Sequence, residues 1–129
     1  MFVNKSLNNA LIDLLKSDEK ILLIGEDILD PYGGAFKVTK GLSDKFSKQV
    51  YPTPISEASI VGIGTGLSMM GFKPIVEIMF GDFITLCADQ IINHLSKFYF
   101  LHDSLKPRSI VIRTPMGGGR GYGPTHSQS

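Results

Sequence analysis

Residues 56–79 read SEASIVGIGTGLSMMGFKPIVEIM and decide the fold. A serine before Glu57 can cap a helix, and the small and apolar residues after it predict a helix of about four turns that ends at Gly71. The run from Lys73 to Met79 is typical of a strand buried on both faces of a parallel sheet. Pro74 is tolerable near the first residue of such a strand. The stretch therefore predicts a helix that leads into a central strand.

The residues on either side continue the same alternation. Apolar residues at helical spacing predict an amphipathic helix over 4–17, with Asn4 or Ser6 as its cap, and Ile21 to Ile24 form a short apolar run typical of a buried strand. The other predicted elements are a loop over 26–34, a short helix over 42–46, an extended piece over 50–55, a long helix over 83–102 and a strand over 108–113. This order predicts an α/β fold with an open, mostly parallel sheet and helices on both faces.

Composition limits the possible functions. A chain of 129 residues fits one compact domain, and a net charge of +1 without a run of like charge argues against a nucleic-acid partner. The longest weakly polar stretch, residues 60–72, is too short to cross a bilayer, and we expect a cytoplasmic protein. A mean hydropathy of +0.11 is somewhat apolar for a domain of this size and hints at assembly. Cys87, the single cysteine, is expected to be a small buried hydrophobe.

Two glycine-rich stretches need separate interpretations. Gly62, Gly64 and Gly66 do not match the dinucleotide-binding fingerprint G-x-G-x-x-G, because its third glycine would fall at position 67, which is Leu67. We expect these glycines to let a helix pack closely at an interface. The stretch 117–123 lacks the Lys-Ser/Thr ending of a phosphate-binding loop. It is either a plain flexible loop or an active-site loop that places the polar residues 125–127 over a ligand.

Glu57 and His126 are the candidate chemical groups. A carboxylate at Glu57 can simply stabilise the N-terminus of its helix, but its apolar sequence neighbours also predict a desolvated carboxyl with a raised pKa, suited to sharing a proton with a heteroaromatic nitrogen. His126 lies in a loop, whereas His94 and His102 fall on or at the end of a predicted helix. The His and Cys residues show no metal-ligand spacing, and Ser127 lacks a nucleophile elbow.

Four blocks of sequence, read in order, resemble the β subunit of thiamine diphosphate-dependent 2-oxo acid dehydrogenases, the E1 component of the pyruvate, branched-chain and acetoin types. The blocks are GEDILDPYGGAFKVTKGL at 25–42, TPISEASIVGIGTGLSMMGFKPIVEIMFGDF at 53–83, ADQIINHLSKF at 88–98 and IVIRTPMGGGRGYGPTHSQS at 110–129. Order and spacing match the family over essentially the whole chain. The resemblance implies that residues 1–129 are the N-terminal part of the pyrimidine-binding domain of a transketolase-like fold, without the C-terminal transketolase-like domain.

The resemblance also implies roles for single residues. Glu57 is similar to the glutamate that hydrogen-bonds ring nitrogen N1′ of the cofactor's aminopyrimidine, and His126 to the active-site histidine near the substrate and the acyl-transfer path. Ile55 and Phe83 resemble the apolar and aromatic residues that pack on the pyrimidine, although both could be plain core residues. Glu26 resembles an acidic residue of the polar channel that joins paired active sites.

The resemblance further implies cofactors and partners. The cofactor is thiamine diphosphate, with Mg²⁺ and the diphosphate held mainly by a partner α subunit, and the carbonyl of Ile110 aligns with a potassium ligand found in some members. The implied assembly is α2β2, with a second β subunit and, in the full-length enzyme, a lipoyl acyltransferase that receives the acyl group. Two alternatives stay open: a transketolase-like or decarboxylase subunit without a lipoyl acceptor, and a non-catalytic interaction fragment. By itself, the 129-residue chain is expected to be inactive.

Overall fold

The computed structural model describes residues 2–102, 109–117, 119 and 121–127. Its centre is a sheet of four parallel strands in the order β2-β1-β3-β4. The strands are β1 (Ile21–Gly25), β2 (Val50–Pro52), β3 (Lys73–Glu77) and β4 (Val111–Arg113), and the α-helices are α1 (Val3–Ser17), α2 (Leu42–Lys45), α3 (Glu57–Met69) and α4 (Phe98–Leu101). The predicted α/β class with an open parallel sheet is confirmed.

The two faces of the sheet bury different apolar clusters. Strand β1 is buried throughout, with Leu23 in one cluster and Leu22 and Ile24 in the other, because side chains alternate across a strand. The first cluster lies under α1 and α2, and the second under α3 and the segment that follows β3. Helical structure therefore covers both faces, as predicted.

Helix α1 begins at Val3, and its N-cap residue is Phe2, so the predicted cap at Asn4 or Ser6 is wrong. The Asn4 side chain is engaged elsewhere: its amide donates to the carbonyl of Phe36 at 3.2 Å. The Asn8 amide donates to the carbonyl of Val38 at 2.7 Å. These two asparagines tie the connection between β1 and β2 to α1, so the side chain of Asn4 bonds to a residue distant in sequence instead of capping the helix.

The single long helix predicted over 83–102 is wrong. The structure has a 3-10 segment at Gly81–Cys87, a π-helical segment at Gln90–Leu95 and the single turn of α4. Hydroxyl groups compete with the regular pattern, since Thr85 donates to the carbonyl of Asp82 and Ser96 donates to the carbonyl of Ile92. Such bonds from a side chain to the preceding turn bend a helix, and here they accompany breaks in the α-helical pattern.

Helix α3 ends as predicted, with Gly71 at a φ of 92° just beyond it. Ser56 holds the N-cap position, but its hydroxyl donates to Ser59 and makes no cap bond. A Cβ on Gly64 would lie 2.5 Å from Cγ2 of Val76, so this glycine lets α3 pack tightly on strand β3. For Gly64, the expected close approach is therefore a contact within the chain.

Three strand boundaries differ from the prediction. Strand β3 ends at Glu77 and β2 at Pro52, and β4 begins at Val111, while position 108 lies outside the described residues. Just beyond the end of β3, the Ile78 amide still donates a hydrogen bond to the carbonyl of Arg113 on β4, at 3.0 Å. Within the described part of the chain, no helix is long and apolar enough to cross a membrane.

Candidate functional site

The candidate site lies at the carboxyl edge of the sheet, where polar residues follow the strands. Glu26 comes directly after β1, Glu57 opens α3 shortly after β2, and Phe80 follows β3. Because all four strands are parallel, these chain segments leave the sheet at one edge.

Glu26 is the most perturbed carboxyl of this edge. Its side chain is buried, with 5% of the residue exposed, and its Oε1 atom has no hydrogen-bond partner among the described residues. Burial raises the pKa of Glu26 to about 7, and the nearby charges of Glu57 and Asp27 add to the effect. A carboxyl of this kind exchanges its proton near neutral pH.

Glu57 is buried at the first turn of α3, with 8% of the residue exposed. Its charge contributes to the raised pKa of Glu26 and to that of Cys87, so the three side chains are near neighbours. The positive end of the helix dipole favours a carboxylate at this position. Glu26 and Glu57 are thus two buried acidic groups, and the charge of Glu57 acts on Glu26.

Cys87 lies near these two carboxyls, whose charges act on its thiol. Its side chain is fully buried, as predicted, and its Sγ lies 3.9 Å from the carbonyl oxygen of Phe83. Burial raises the pKa of the thiol to about 11, with further contributions from Glu57 and Glu26. The thiol is therefore protonated and unreactive at neutral pH. Sequence reasoning found the burial of Cys87 but missed its place beside two carboxyls.

His126 lies in a second cluster that is built mostly of aromatic rings. Its ring centroid is 5.0 Å from that of Phe80 and 5.0 Å from that of Phe83, in both cases edge to face. Tyr122 contacts Phe80 at 6.1 Å, and the Thr125 hydroxyl lies 2.8 Å from Nδ1 of His126. The structure brings the predicted residues Phe83 and His126 together with Thr125, which belongs to the polar stretch 125–127 singled out from the sequence. It adds Phe80, which sequence reasoning missed.

The 3-10 segment Gly81–Cys87 joins the two clusters. Phe83 contacts His126 near its start, and Cys87 lies beside the acidic pair at its end. Four residues of 3-10 helix advance the chain by roughly 8 Å. The acidic pair and the imidazole are therefore arranged along one short, half-buried segment.

Ile55 and Ile110 have different environments. Ile55 is 82% exposed, and it precedes Glu57 by two positions. Ile110 is partly buried against the apolar cluster under α3, with Cδ1 3.2 Å from the site of a Cβ on Gly64. In the described ranges, no three His, Cys, Asp or Glu side chains converge as metal ligands.

A third buried carboxyl, Glu77, lies at the last position of β3. It is 1% exposed, and its Oε2 accepts a hydrogen bond from the guanidinium of Arg113, its direct partner on β4. Burial raises the pKa of Glu77, while the charge of Arg113 acts in the opposite direction. A buried ion pair between neighbouring strands is a structural feature of the sheet.

Comparison with known proteins gives a consistent answer. The family model described as the pyrimidine-binding domain of transketolase matches residues 1–129. The chain is 39% identical over 127 residues to the mitochondrial β subunit of the pyruvate dehydrogenase E1 component of Rattus norvegicus. This alignment covers 98% of the chain and 35% of that relative. It is 41% identical over 126 residues to the corresponding subunit of Leifsonia xyli, covering 97% and 37%. The 3-methyl-2-oxobutanoate dehydrogenase subunit β of Mycobacterium tuberculosis is 37% identical over 126 residues, covering 97% and 36%.

The matched region is only part of each relative. The chain spans about a third of the length of the curated relatives that it matches. The family model, by contrast, aligns along the whole chain.

Proposed function

The chain belongs to the family of transketolase pyrimidine-binding domains, and on this premise we propose that it is the pyrimidine-binding part of the β subunit of a thiamine diphosphate-dependent 2-oxo acid dehydrogenase E1. The observation that carries the proposal is the pair of buried carboxyls, Glu26 and Glu57, at the carboxyl edge of the sheet. The complete enzyme oxidatively decarboxylates a 2-oxo acid and passes the acyl group to a lipoyl carrier. Residues 1–129 form the N-terminal part of this domain in the proposed enzyme.

The residues present fit the aminopyrimidine of thiamine diphosphate. Its ring nitrogen N1′ needs a buried acid that can share a proton, and Glu57 is a buried carboxyl beside a second carboxyl with a raised pKa. Phe83 offers a half-buried aromatic face next to the same segment. The orphaned Oε1 of Glu26 also indicates room for a polar group that the protein alone does not supply.

The proposed roles follow from these environments. When bound, thiamine diphosphate supplies the carbanion stabilisation that decarboxylation of a 2-oxo acid requires. Glu57 holds a proton at N1′ and orients the ring, with Ile55 and Phe83 packing on it. Glu26 keeps a second exchangeable proton within the buried acidic region. His126 acts near the substrate on the acyl-transfer path, from its place among Phe80 and Phe83.

The proposed partners follow from the family resemblance. An α subunit would hold Mg²⁺ and the diphosphate, in an α2β2 assembly with a second β subunit. The carbonyl of Ile110 would contribute to a potassium site, and a lipoyl acyltransferase would receive the acyl group. The proposed location is cytoplasmic, although the rat relative is named as mitochondrial.

The test is the substitution Glu57→Gln in the protein assembled with a matching α subunit. Because glutamine cannot share a proton in the same way, we expect decarboxylation to fall by about 10²- to 10⁴-fold, the range for loss of one general acid or base. The measurements are 2-oxo acid decarboxylation, thiamine diphosphate binding by calorimetry and assembly by size-exclusion chromatography. The matched control is Glu19→Gln, since Glu19 is exposed. A complex that assembles and decarboxylates equally well with Glu57→Gln excludes the proposed role of this carboxyl.

A further inference from the structure

His126 is held between two phenyl rings whose planes fix the plane of the imidazole. The interplanar angles are 84° with Phe80 and 88° with Phe83, and the two phenyl rings meet each other at 85° and 6.1 Å. The three rings are therefore mutually perpendicular, which is the favoured edge-to-face geometry for aromatic pairs. Rotating the imidazole about its Cβ–Cγ bond would lose both contacts at once.

One of the two imidazole nitrogens already has a partner. The hydroxyl of Thr125 lies 2.8 Å from Nδ1, a hydrogen-bond distance at which the hydroxyl can donate to a bare nitrogen or accept from a protonated one. The backbone amide of His126 in turn donates to the carbonyl of Gly123 at 3.4 Å. With Nδ1 engaged by its own sequence neighbour, Nε2 is the nitrogen left for a substrate.

The aromatic pair is anchored more firmly than the loop that carries His126. The amide of Gly81 donates to the carbonyl of Pro115 at 2.8 Å, and a Cβ on Gly81 would lie 2.0 Å from Cγ of Met116. The chain after β3 is thus closely packed on the chain after β4. The turn between the two rings is closed by the amide of Phe83, which donates to the carbonyl of Phe80 at 3.0 Å.

The backbone that leads to His126 is rich in glycine. Gly119, Gly121 and Gly123 have φ values of 73°, 76° and 74°, in the left-handed region that favours glycine. Glycine loses more conformational freedom on ordering than any other residue, so a loop of this composition needs contacts to define its end. The rings of Phe80 and Phe83 provide those contacts.

We propose that Phe80 and Thr125 are positioning residues for His126: the phenyl ring sets the plane of the imidazole, and the hydroxyl donates to Nδ1, which favours the tautomer with its proton on Nε2 and leaves Nε2–H for the substrate. This inference rests on the proposed function for the identity of the substrate, but its geometry belongs to the chain itself. A positioned imidazole keeps its productive orientation without being reordered at each turnover.

The test uses Thr125→Val, Thr125→Ser and Phe80→Leu in the assembled complex, with ¹⁵N-labelled histidine. We expect ¹⁵N NMR of the parent protein to show one dominant neutral tautomer of His126, and Thr125→Val to show a mixture. Thr125→Ser should restore the single tautomer because it keeps the hydroxyl. We expect Thr125→Val to lower the kcat for acyl transfer about five- to tenfold at nearly unchanged KM, as for loss of one neutral hydrogen bond. Phe80→Leu should broaden the imidazole signals.

Matched controls are Ser17→Ala and Phe100→Leu, at an exposed serine at the end of α1 and at a phenylalanine that is 86% exposed. Neither should change the His126 signals. Unchanged imidazole nitrogen shifts in both Thr125→Val and Phe80→Leu would overturn the inference, as would a parent protein that already shows mixed tautomers. If the parent complex neither binds thiamine diphosphate nor decarboxylates, the proposed function fails while the NMR result still decides the positioning.

Discussion

Two buried glutamates at the same edge of the sheet have opposite electrostatic environments. Glu77 is the last residue of β3, and Glu26 follows Gly25, which is paired with Glu77 in the register of β1 and β3. Glu77 is bonded through Oε2 to Arg113 on β4, whereas the charges that act on Glu26 are those of Glu57 and Asp27. The Oε1 atom of each glutamate has no hydrogen-bond partner among the described residues. Their exposed fractions, 1% and 5%, are similar.

The comparison shows that neighbouring charges decide how far burial raises the pKa of a carboxyl. Burial raises the pKa of both groups, but Arg113 opposes the shift at Glu77, and the other carboxyls add to it at Glu26. A compensated charge ties two strands together and is of little use for proton transfer. An uncompensated carboxyl costs stability when ionised and can give or take a proton near neutral pH. The chain places a charge-compensated and an uncompensated carboxyl one residue apart along neighbouring strands.

The largest expected effect comes from breaking the structural pair. Arg113→Met should lower the free energy of unfolding by about 3 to 5 kcal/mol, because it leaves Glu77 buried without its cation. The double variant Glu77→Gln with Arg113→Met should recover much of this loss, since neither charge remains. Urea denaturation followed by circular dichroism measures both. If the single variant is no less stable than the double variant, Glu77 does not depend on Arg113 for compensation.

The sequence was informative where one local pattern determines the outcome. The apolar run at 21–24 and the helix that ends at Gly71 predicted the central strand β1 and helix α3 correctly, because burial on both faces and a left-handed glycine leave clear patterns. The helix prediction for 83–102 failed because its apolar spacing suits a helix, while the hydroxyls of Thr85 and Ser96 bond to backbone carbonyls of the preceding turn. Periodicity does not record that competition.

The candidate site was predictable only in part for a similar reason. Glu57 and His126 stand in recognisable motifs, but Phe80 and Cys87 gain their meaning from contacts with residues distant in sequence. The raised pKa of Glu26 arises from burial by the surrounding fold together with Glu57, which is 31 positions away in a different element. Neighbours in the sequence reveal little about such an environment. The long-range contacts are what turn separate motifs into one site.

The next largest effect is on the pH dependence of stability, which tests the environment of Glu26. The folded-state pKa of Glu26 is raised from 4.5 to about 7, so the folded state binds this proton more tightly than the unfolded state does. The free energy of unfolding should therefore fall as pH rises from about 4.5 to 7, by about 2 to 3 kcal/mol in total. Glu26→Gln should flatten this part of the profile, and Glu19→Gln, at an exposed site, should not. Parallel profiles for the parent and Glu26→Gln would contradict the proposed environment.

The smallest effect uses Cys87 as a probe inside the acidic pair. Its thiol pKa is raised to about 11, first by burial and then by Glu57 and Glu26. Removing one negative charge lowers the cost of forming a thiolate, so Glu57→Gln and Glu26→Gln should each lower the thiol pKa by a fraction of a unit, and Glu57→Gln by more. The Cβ chemical shift of the single cysteine in a ¹³C-labelled protein reports this titration. Glu77→Gln is the control, because the charge of Glu77 is already compensated by Arg113. An equal change in thiol pKa in all three variants would mean that Glu77 and Glu26 share one electrostatic environment. A change confined to Glu57→Gln and Glu26→Gln locates these two carboxyls near the thiol.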